Sequence, residues 1–336
     1  MSLITVDSLT VQFDTDEGRI TAVEDVSFAV APGEILGLVG ESGSGKSVTA
    51  KSLMRLNSDN ARYAAQSRVV LHLDDRKVDV LSLRTGREMQ IVRGGAISMI
   101  FQEPMASFAP AITIGDQMVE QLVLHRRISE KEAARVSIEM LERVGISDAA
   151  KRFGQYAFEL SGGMRQRAMI AMALSTRPRL LIADEPTTAL DVTIQAQVLD
   201  LMLELKQKVG AAILLITHDL GVVAEVAERI VVMYAGRKVE EARARDLFAN
   251  PRHPYTQGLL GAVPKLGSSL EEKGRTRLSE IPGMVPNLKK PIEGCAFASR
   301  CPIATDLCRK VAPAVEAKAL GHFVACHHAP REAIAA

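Results

Sequence analysis

Apolar residues fall in short, separated runs along the first 250 or so positions, and their periods alternate between those of strand and helix. Leu9-Thr-Val-Gln-Phe13 and Ala22–Val30 alternate as half-buried strands do, and Ala31-Pro32-Gly33 closes the second with a turn. Glu34-Ile-Leu-Gly-Leu-Val39 is instead a compact apolar run, suited to a parallel strand covered on both faces. It leads into a glycine-rich loop and then a helical pattern from Ser47 to Leu56. Residues 68–83 read as a strand pair turned by Asp74-Asp75-Arg76-Lys77, and residues 115–145 read as helices. Arg179–Ala183 and Ala212–Ile216 are further buried-strand runs, each followed by a helical stretch. Strands alternating with helices predict an α/β core.

After about residue 250 the texture changes. Pro251, Pro254, Pro264, Pro282, Pro286 and Pro291 punctuate the chain, which places an expected domain boundary near Pro251–His253. A chain of 336 residues suits one large domain with an appendage. The longest apolar stretches, such as Ala211–Ile216, are strand-sized, so no membrane span is expected. The start, Met-Ser-Leu-Ile-Thr-Val-Asp, lacks the basic-then-apolar order of a secretion signal. A formal charge of +1 argues against a broad basic face for nucleic acid. A cytoplasmic protein, at most peripheral to a membrane, is the expectation.

Candidate chemistry begins at Gly40-Glu41-Ser42-Gly43-Ser44-Gly45-Lys46-Ser47, which matches the G-x-x-x-x-G-K-[ST] phosphate loop, with Val48 continuing into the helix. The motif needs an apolar strand before it and a helix after it, and both are present. Glycines let successive backbone N–H groups turn toward phosphate oxygens, and the helix N-terminus adds positive potential. Lys46 is expected to reach the β- and γ-phosphates and the Ser47 hydroxyl to ligate Mg²⁺. A second element, Leu180-Leu-Ile-Ala-Asp184-Glu185, is an apolar strand ending in two carboxylates. Adjacent strand residues face opposite ways, so Asp184 can serve the Mg²⁺ shell while Glu185 orients or deprotonates the attacking water.

Leu160-Ser161-Gly162-Gly163-Met164-Arg165-Gln166 resembles the signature motif of ABC ATPases, in which a serine and two glycine N–H groups open a helix as an anion site. The order phosphate loop, signature, Asp184 is that of the family. Gln102, in Met99-Ile-Phe-Gln-Glu-Pro104, is similar to the family's Q-loop residue, a γ-phosphate sensor and Mg²⁺ neighbour. Ala189-Leu190-Asp191 is similar to the D-loop, and His218, just past Ala212–Ile216, to the switch histidine. Phe13 is the candidate aromatic to stack on adenine, with an ordinary core phenylalanine as the alternative. The resemblance implies a P-loop nucleotide-binding domain over residues 1–252 with antiparallel β and helical subdomains, the helical one spanning roughly 103–165. It also implies that each ATP lies between two cassettes, the phosphate loop coming from one and the signature from the other.

Residues 251–265 resemble the start of the C-terminal extension found in the oligopeptide/dipeptide branch of ABC importers, which here covers 253–336. The branch implies a peptide-importer ATPase on the cytoplasmic face of the inner membrane. Its partners are a related second cassette, two integral permease subunits and, indirectly, a solute-binding protein. Nickel, opines and oligosaccharides are the alternative cargoes, and a soluble ABC ATPase of translation or DNA repair is the alternative class. Glu103, Ala106, Phe108 and Ala109 depart from the branch's commonest residues beside the expected permease contact. All four cysteines lie in the extension, as Cys295-x5-Cys301-x6-Cys308-x17-Cys326. Without paired C-x-x-C knuckles, and in a reducing compartment, four such thiolates suit an iron–sulfur cluster, which some members of the branch carry. Zinc, recruiting His322, His327 or His328, is the second reading, and unliganded structural cysteines the third.

Overall fold

The computed structural model describes residues 2–84, 86–103, 107–186, 192–262, 281–289 and 291–331. Two long strands open the chain, β1 (Ile4–Thr15) and β2 (Gly18–Val30), before β3 (Ile35–Val39) runs through the glycine-rich loop into α1 (Lys46–Ser52). Next come β4 (Ala61–Tyr63), β5 (Arg68–His72), β6 (Lys77–Asp79), the one-turn α2 (Gly86–Met89) and β7 (Ile97–Ile100). Four helices follow: α3 (Ile114–Arg126), α4 (Glu130–Arg143), α5 (Ala149–Phe153) and α6 (Gly162–Ser175). The chain continues with β8 (Leu180–Asp184), α7 (Val192–Val209), β9 (Ala212–Ile216), α8 (Leu220–Val226), β10 (Arg229–Tyr234) and β11 (Arg237–Arg243). It closes with α9 (Ala244–Ala249), α10 (Pro254–Gly261), α11 (Asp306–Lys310), β12 (Glu316–Ala319) and β13 (His322–Val324).

These elements form two compact units: Met1–Ile4, Val30–Glu34 and Leu71–Ile216, and Thr5–Ala29, Ile35–Val70 and Thr217–Ala336. In the first, β7, β8 and β9 are parallel neighbours, Ile97 opposite Leu180 and Leu180 opposite Ala212. All their residues are buried, as their apolar runs require of strands covered on both faces. Three helices of this unit, α3, α4 and α6, begin where the sequence supplies a cap. Thr113, Ser129 and Ser161 accept from the backbone N–H of Asp116, Glu132 and Met164. On α4 the buried residues Ala133, Ser137 and Leu141 recur every fourth position, and the Ser137 hydroxyl bonds back to the Ala133 carbonyl, so no polar atom is stranded.

In the second unit β1 has β2 and β5 as neighbours, and β4 pairs with its end, Val11 opposite Tyr63. Here β3 pairs in parallel with β10, Leu36 opposite Arg229, and β11 runs antiparallel to β10. The tail extends this sheet: β13 pairs with β11, placing Val324 opposite Glu240, and β12 pairs with β13. The proline-rich reading of the tail does not reveal these strands, because they are too short to display a period. Their docking buries Glu240 completely, and its carboxylate accepts from the Arg252 and His253 N–H groups and from His322 Nε2. The expected helix from Ser47 to Leu56 is shorter, ending at Ser52, with Arg55 in the left-handed region at φ 49°.

Candidate functional site

The phosphate loop belongs to the second unit. Gly40, Gly43 and Gly45 take φ of 152°, 76° and 97°, conformations other residues rarely adopt, and Gly45 caps α1. Backbone of this kind turns N–H groups into one concavity, which fits an anion. Close packing adds a second reason for glycine: a Cβ at Gly40 would lie 2.2 Å from the Met233 carbonyl oxygen, and one at Gly45 2.6 Å from that of Ala22. The loop is thus seated on β10 and β2. Lys46 is buried, and its ammonium donates to the carbonyls of Gly40 (2.7 Å) and Glu41 (2.9 Å) inside the loop. Ser47 follows in the first turn of α1.

The paired carboxylates belong to the first unit. Asp184 ends β8 and is buried. Glu185 stands at φ 48°, an uncommon conformation for a residue with a Cβ and one that tends to occur where function demands it. Its N–H donates to the Ile216 carbonyl at 2.9 Å, so the neighbouring strand holds the backbone. Gln102 Nε2 donates to Glu185 Oε2 at 3.1 Å, which brings two of the expected catalytic residues together. Gln166, a member of the glycine-rich helix start, is buried and donates to the Pro186 carbonyl at 2.6 Å. Sequence reading assigned Gln166 no role of its own; its place one residue beyond Glu185 emerges only from the fold.

Ser161 caps α6, and neither Gly162 nor Gly163 would bring a Cβ within 4 Å of any described atom. His218 is exposed just past β9, before Asp219, which caps α8 by accepting from Gly221 and Val222 N–H. Phe13 lies half-buried on β1 opposite Ala61. The expected Asp191 lies outside the described residues.

In the extension, the Cys295 N–H donates to the Cys308 carbonyl at 2.7 Å, a closure that only a glycine at 294 permits, since a Cβ there would sit 2.3 Å from that oxygen. Burial pushes the Cys295 thiol above its ordinary range, and Cys308, Cys326 and Cys301 add to the shift. The Cys301 thiol is raised in the same way, by burial and then by Cys326 and Cys308. Among the described residues, no group of three or more His, Cys, Asp or Glu is arranged to hold a metal ion.

Two residues absent from the expected site touch the phosphate loop. The Glu41 N–H donates to the Tyr255 hydroxyl at 2.8 Å, and Arg300 forms a two-pronged pair with the Glu41 carboxylate at 2.7 and 3.1 Å. Both come from the extension, hundreds of positions away, and no local signal marks them.

Comparison with known proteins matches residues 23–188 to the ABC transporter family and residues 239–308 to the oligopeptide/dipeptide transporter C-terminal region. The chain is 48% identical over 328 residues to the oligopeptide transport ATP-binding protein OppD of Salmonella typhimurium, covering 96% of this chain and 93% of that one. It is 47% identical over 313 residues to the dipeptide transport ATP-binding protein DppD of Haemophilus influenzae, covering 93% and 92%. Among solved structures, a post-hydrolysis dimer of the ATP-binding cassette MJ0796 bound to ADP and Pi aligns with a TM-score of 0.63 at 26% identity. That alignment covers 72% of this chain and 99% of the other. Among the described residues no helix is long and apolar enough to cross a membrane.

Proposed function

The chain belongs to the ABC transporter family as one of its ATP-hydrolysing subunits, and from that premise we propose that its hydrolysis drives peptides through a membrane partner. The observation carrying the peptide assignment is the match of residues 239–308 to the oligopeptide/dipeptide extension, a region separate from the ATPase motifs. The test is reconstitution with the permease subunits and solute-binding protein that accompany it. Di- to pentapeptides should stimulate ATPase and accumulate inside vesicles. Stimulation by nickel, an opine or an oligosaccharide instead would overturn the peptide assignment and leave the motor intact.

We assign the residues of the reaction as follows. Gly40 to Val48 wrap the triphosphate, Lys46 neutralises the β- and γ-phosphate oxygens, and Ser47, Asp184 and Gln102 would hold Mg²⁺, which would supply positive charge beside the phosphates. Glu185 orients the attacking water and accepts its proton, while Gln102 holds the Glu185 carboxylate in place and senses the γ-phosphate. His218 contacts the γ-phosphate, and Phe13 stacks on adenine. The N-terminus of α6, with Ser161, Gly162 and Gly163, serves the nucleotide of a second, related cassette, and Asp191 is assigned to nucleotide binding with them. The pair docks on the cytoplasmic face of the inner membrane against two permease subunits.

We further propose that Cys295, Cys301, Cys308 and Cys326 hold an iron–sulfur cluster. Their irregular spacing within one stretch of the extension, without paired C-x-x-C knuckles, supports this reading over zinc. About four irons and four acid-labile sulfides per chain after anaerobic purification is the expected result. Zinc without sulfide would overturn it.

A further inference from the structure

We propose that the C-terminal extension is a working part of the nucleotide site, with Arg300 and Tyr255 as positioning residues that hold the phosphate loop in its binding form. Arg300 has five N–H donors in a planar fork. All five are used: Nε to the Pro282 carbonyl, one terminal nitrogen to Glu41 Oε2 and the Tyr234 hydroxyl, the other to Glu41 Oε1 and the Ile281 carbonyl. The Arg300 side chain is only 5% exposed, so its charge depends on Glu41, which at 27% is itself largely covered. Loop and extension therefore hold each other: without Glu41 the guanidinium is buried unpaired, and without Arg300 the second residue of the phosphate loop loses its anchor.

Tyr255 completes the grip from the same side. Its hydroxyl takes the Glu41 N–H, and its ring packs against Tyr234 and Phe297 at centroid distances of 4.6 and 5.5 Å. The two grips fix different atoms of Glu41, backbone and carboxylate, immediately before the turn at Gly43. They are themselves firmly backed. His253 caps α10 by accepting from the Tyr255 N–H, and Gly258 leaves room for Ile281, whose side chain a Cβ would meet at 2.8 Å. Arg300 also adjoins Cys301, so the loop's anchor and the cysteine set share one stretch of backbone. A loop pre-held in this way binds phosphate without first losing conformational freedom, so removing the hold should appear in nucleotide affinity more than in turnover.

The test is a double-mutant cycle on the full chain, read by calorimetric titration with MgADP and by KM and kcat for ATP. Arg300→Gln should raise Kd and KM roughly 10- to 100-fold, the scale of losing charge-assisted hydrogen bonds. Turnover at saturating ATP should stay within about 3-fold, because these residues touch no reacting atom. Arg300→Lys should not restore affinity, since three donors on a point charge cannot fill a planar fork. Glu41→Gln combined with Arg300→Gln should be no worse than Arg300→Gln alone. If Arg300→Gln fails to fold, Tyr255→Phe, which removes one oxygen, carries the test with an expected several-fold rise in Kd. Unchanged Kd with a lowered Tm, or additive effects in the double mutant, would overturn the proposal and leave the extension merely structural. The inference rests on the loop being the nucleotide site, so Lys46→Ala separates the two. Intact MgADP binding in Lys46→Ala would sink the loop assignment, whatever Arg300 does.

Discussion

At the start of α1 the glycines press against their own chain, whereas at the start of α6 they face open space. Gly40 and Gly45 leave no room for a Cβ because the Met233 and Ala22 carbonyls stand 2.2 and 2.6 Å from where it would lie. Around Gly162 and Gly163 nothing described comes within 4 Å. Both are helix N-termini, yet the first is packed against the surrounding chain and the second meets no described atom within 4 Å. The difference teaches which requirement each glycine meets. For the phosphate loop it is internal packing; for the α6 start no described neighbour imposes it, and we propose that the nucleotide of a second cassette does.

The largest expected effect tests whether both helix starts bind while neither performs the chemistry. Glu185→Gln should lower kcat about 10²- to 10⁴-fold, the range of general-base catalysis, with MgADP affinity preserved in calorimetry. Undiminished ATPase would remove Glu185 from the reaction. Gly40→Ala addresses the packed start: its Cβ would collide with backbone, so overpacking should cost about 3 kcal/mol, seen as a lower Tm, and MgADP binding should fall with it. A variant with unchanged Tm would mean that the loop can shift away from β10.

Acid should loosen the packed start and spare the open one. Burial holds the His253 imidazole down at about 4, against an ordinary 6.5, and this residue caps the helix that carries Tyr255. The unfolded chain takes up a proton there below about 6.5, and the folded chain resists until about 4. Stability from this group is therefore complete above pH ~6.5 and declines as pH falls toward 4, by about 3 kcal/mol in all. Glu240, held low by its bonds from His322 and the 252–253 backbone despite burial, adds a further decline below the ordinary carboxylate value. His253→Asn keeps a capping acceptor and should flatten the Tm–pH curve between 6.5 and 4; an unchanged slope would exclude His253 as its source.

The smallest change in the molecule tests the open start. Gly162→Ala should leave the unfolding free energy within about 0.5 kcal/mol of the parent, as for an exposed substitution, yet lower the ATPase of the assembled pair about 10²-fold by displacing what docks there. Loss of stability in the isolated chain would show that this glycine too answers to its own fold.

Much of this was legible beforehand. The run Ile35–Val39, the eight-residue loop, the paired carboxylates after Leu180–Ala183 and the cap Ser161 all write themselves within a few residues, because strand burial, phosphate loops and helix caps are local devices. Arg229–Tyr234 carries the same apolar signature as β3 and could have been read from it. The three-residue strands Ala61–Tyr63 and His322–Val324 could not, since a period needs more than one repeat to show.

The sequence by itself determined that this chain has an apolar strand feeding a phosphate loop, a carboxylate pair at a second strand end and a glycine-led helix, and hence that it is an ABC ATPase. The tertiary structure alone decided that the extension continues a sheet beside the loop, that Glu185 sits at positive φ, and that Arg300 and Tyr255 close on Glu41. The reason lies in how the two kinds of information are stored. A helix or a phosphate loop is specified by neighbours whose spacing the backbone geometry sets. A pair such as Glu41 and Arg300, 259 positions apart, depends on every element that folds between them.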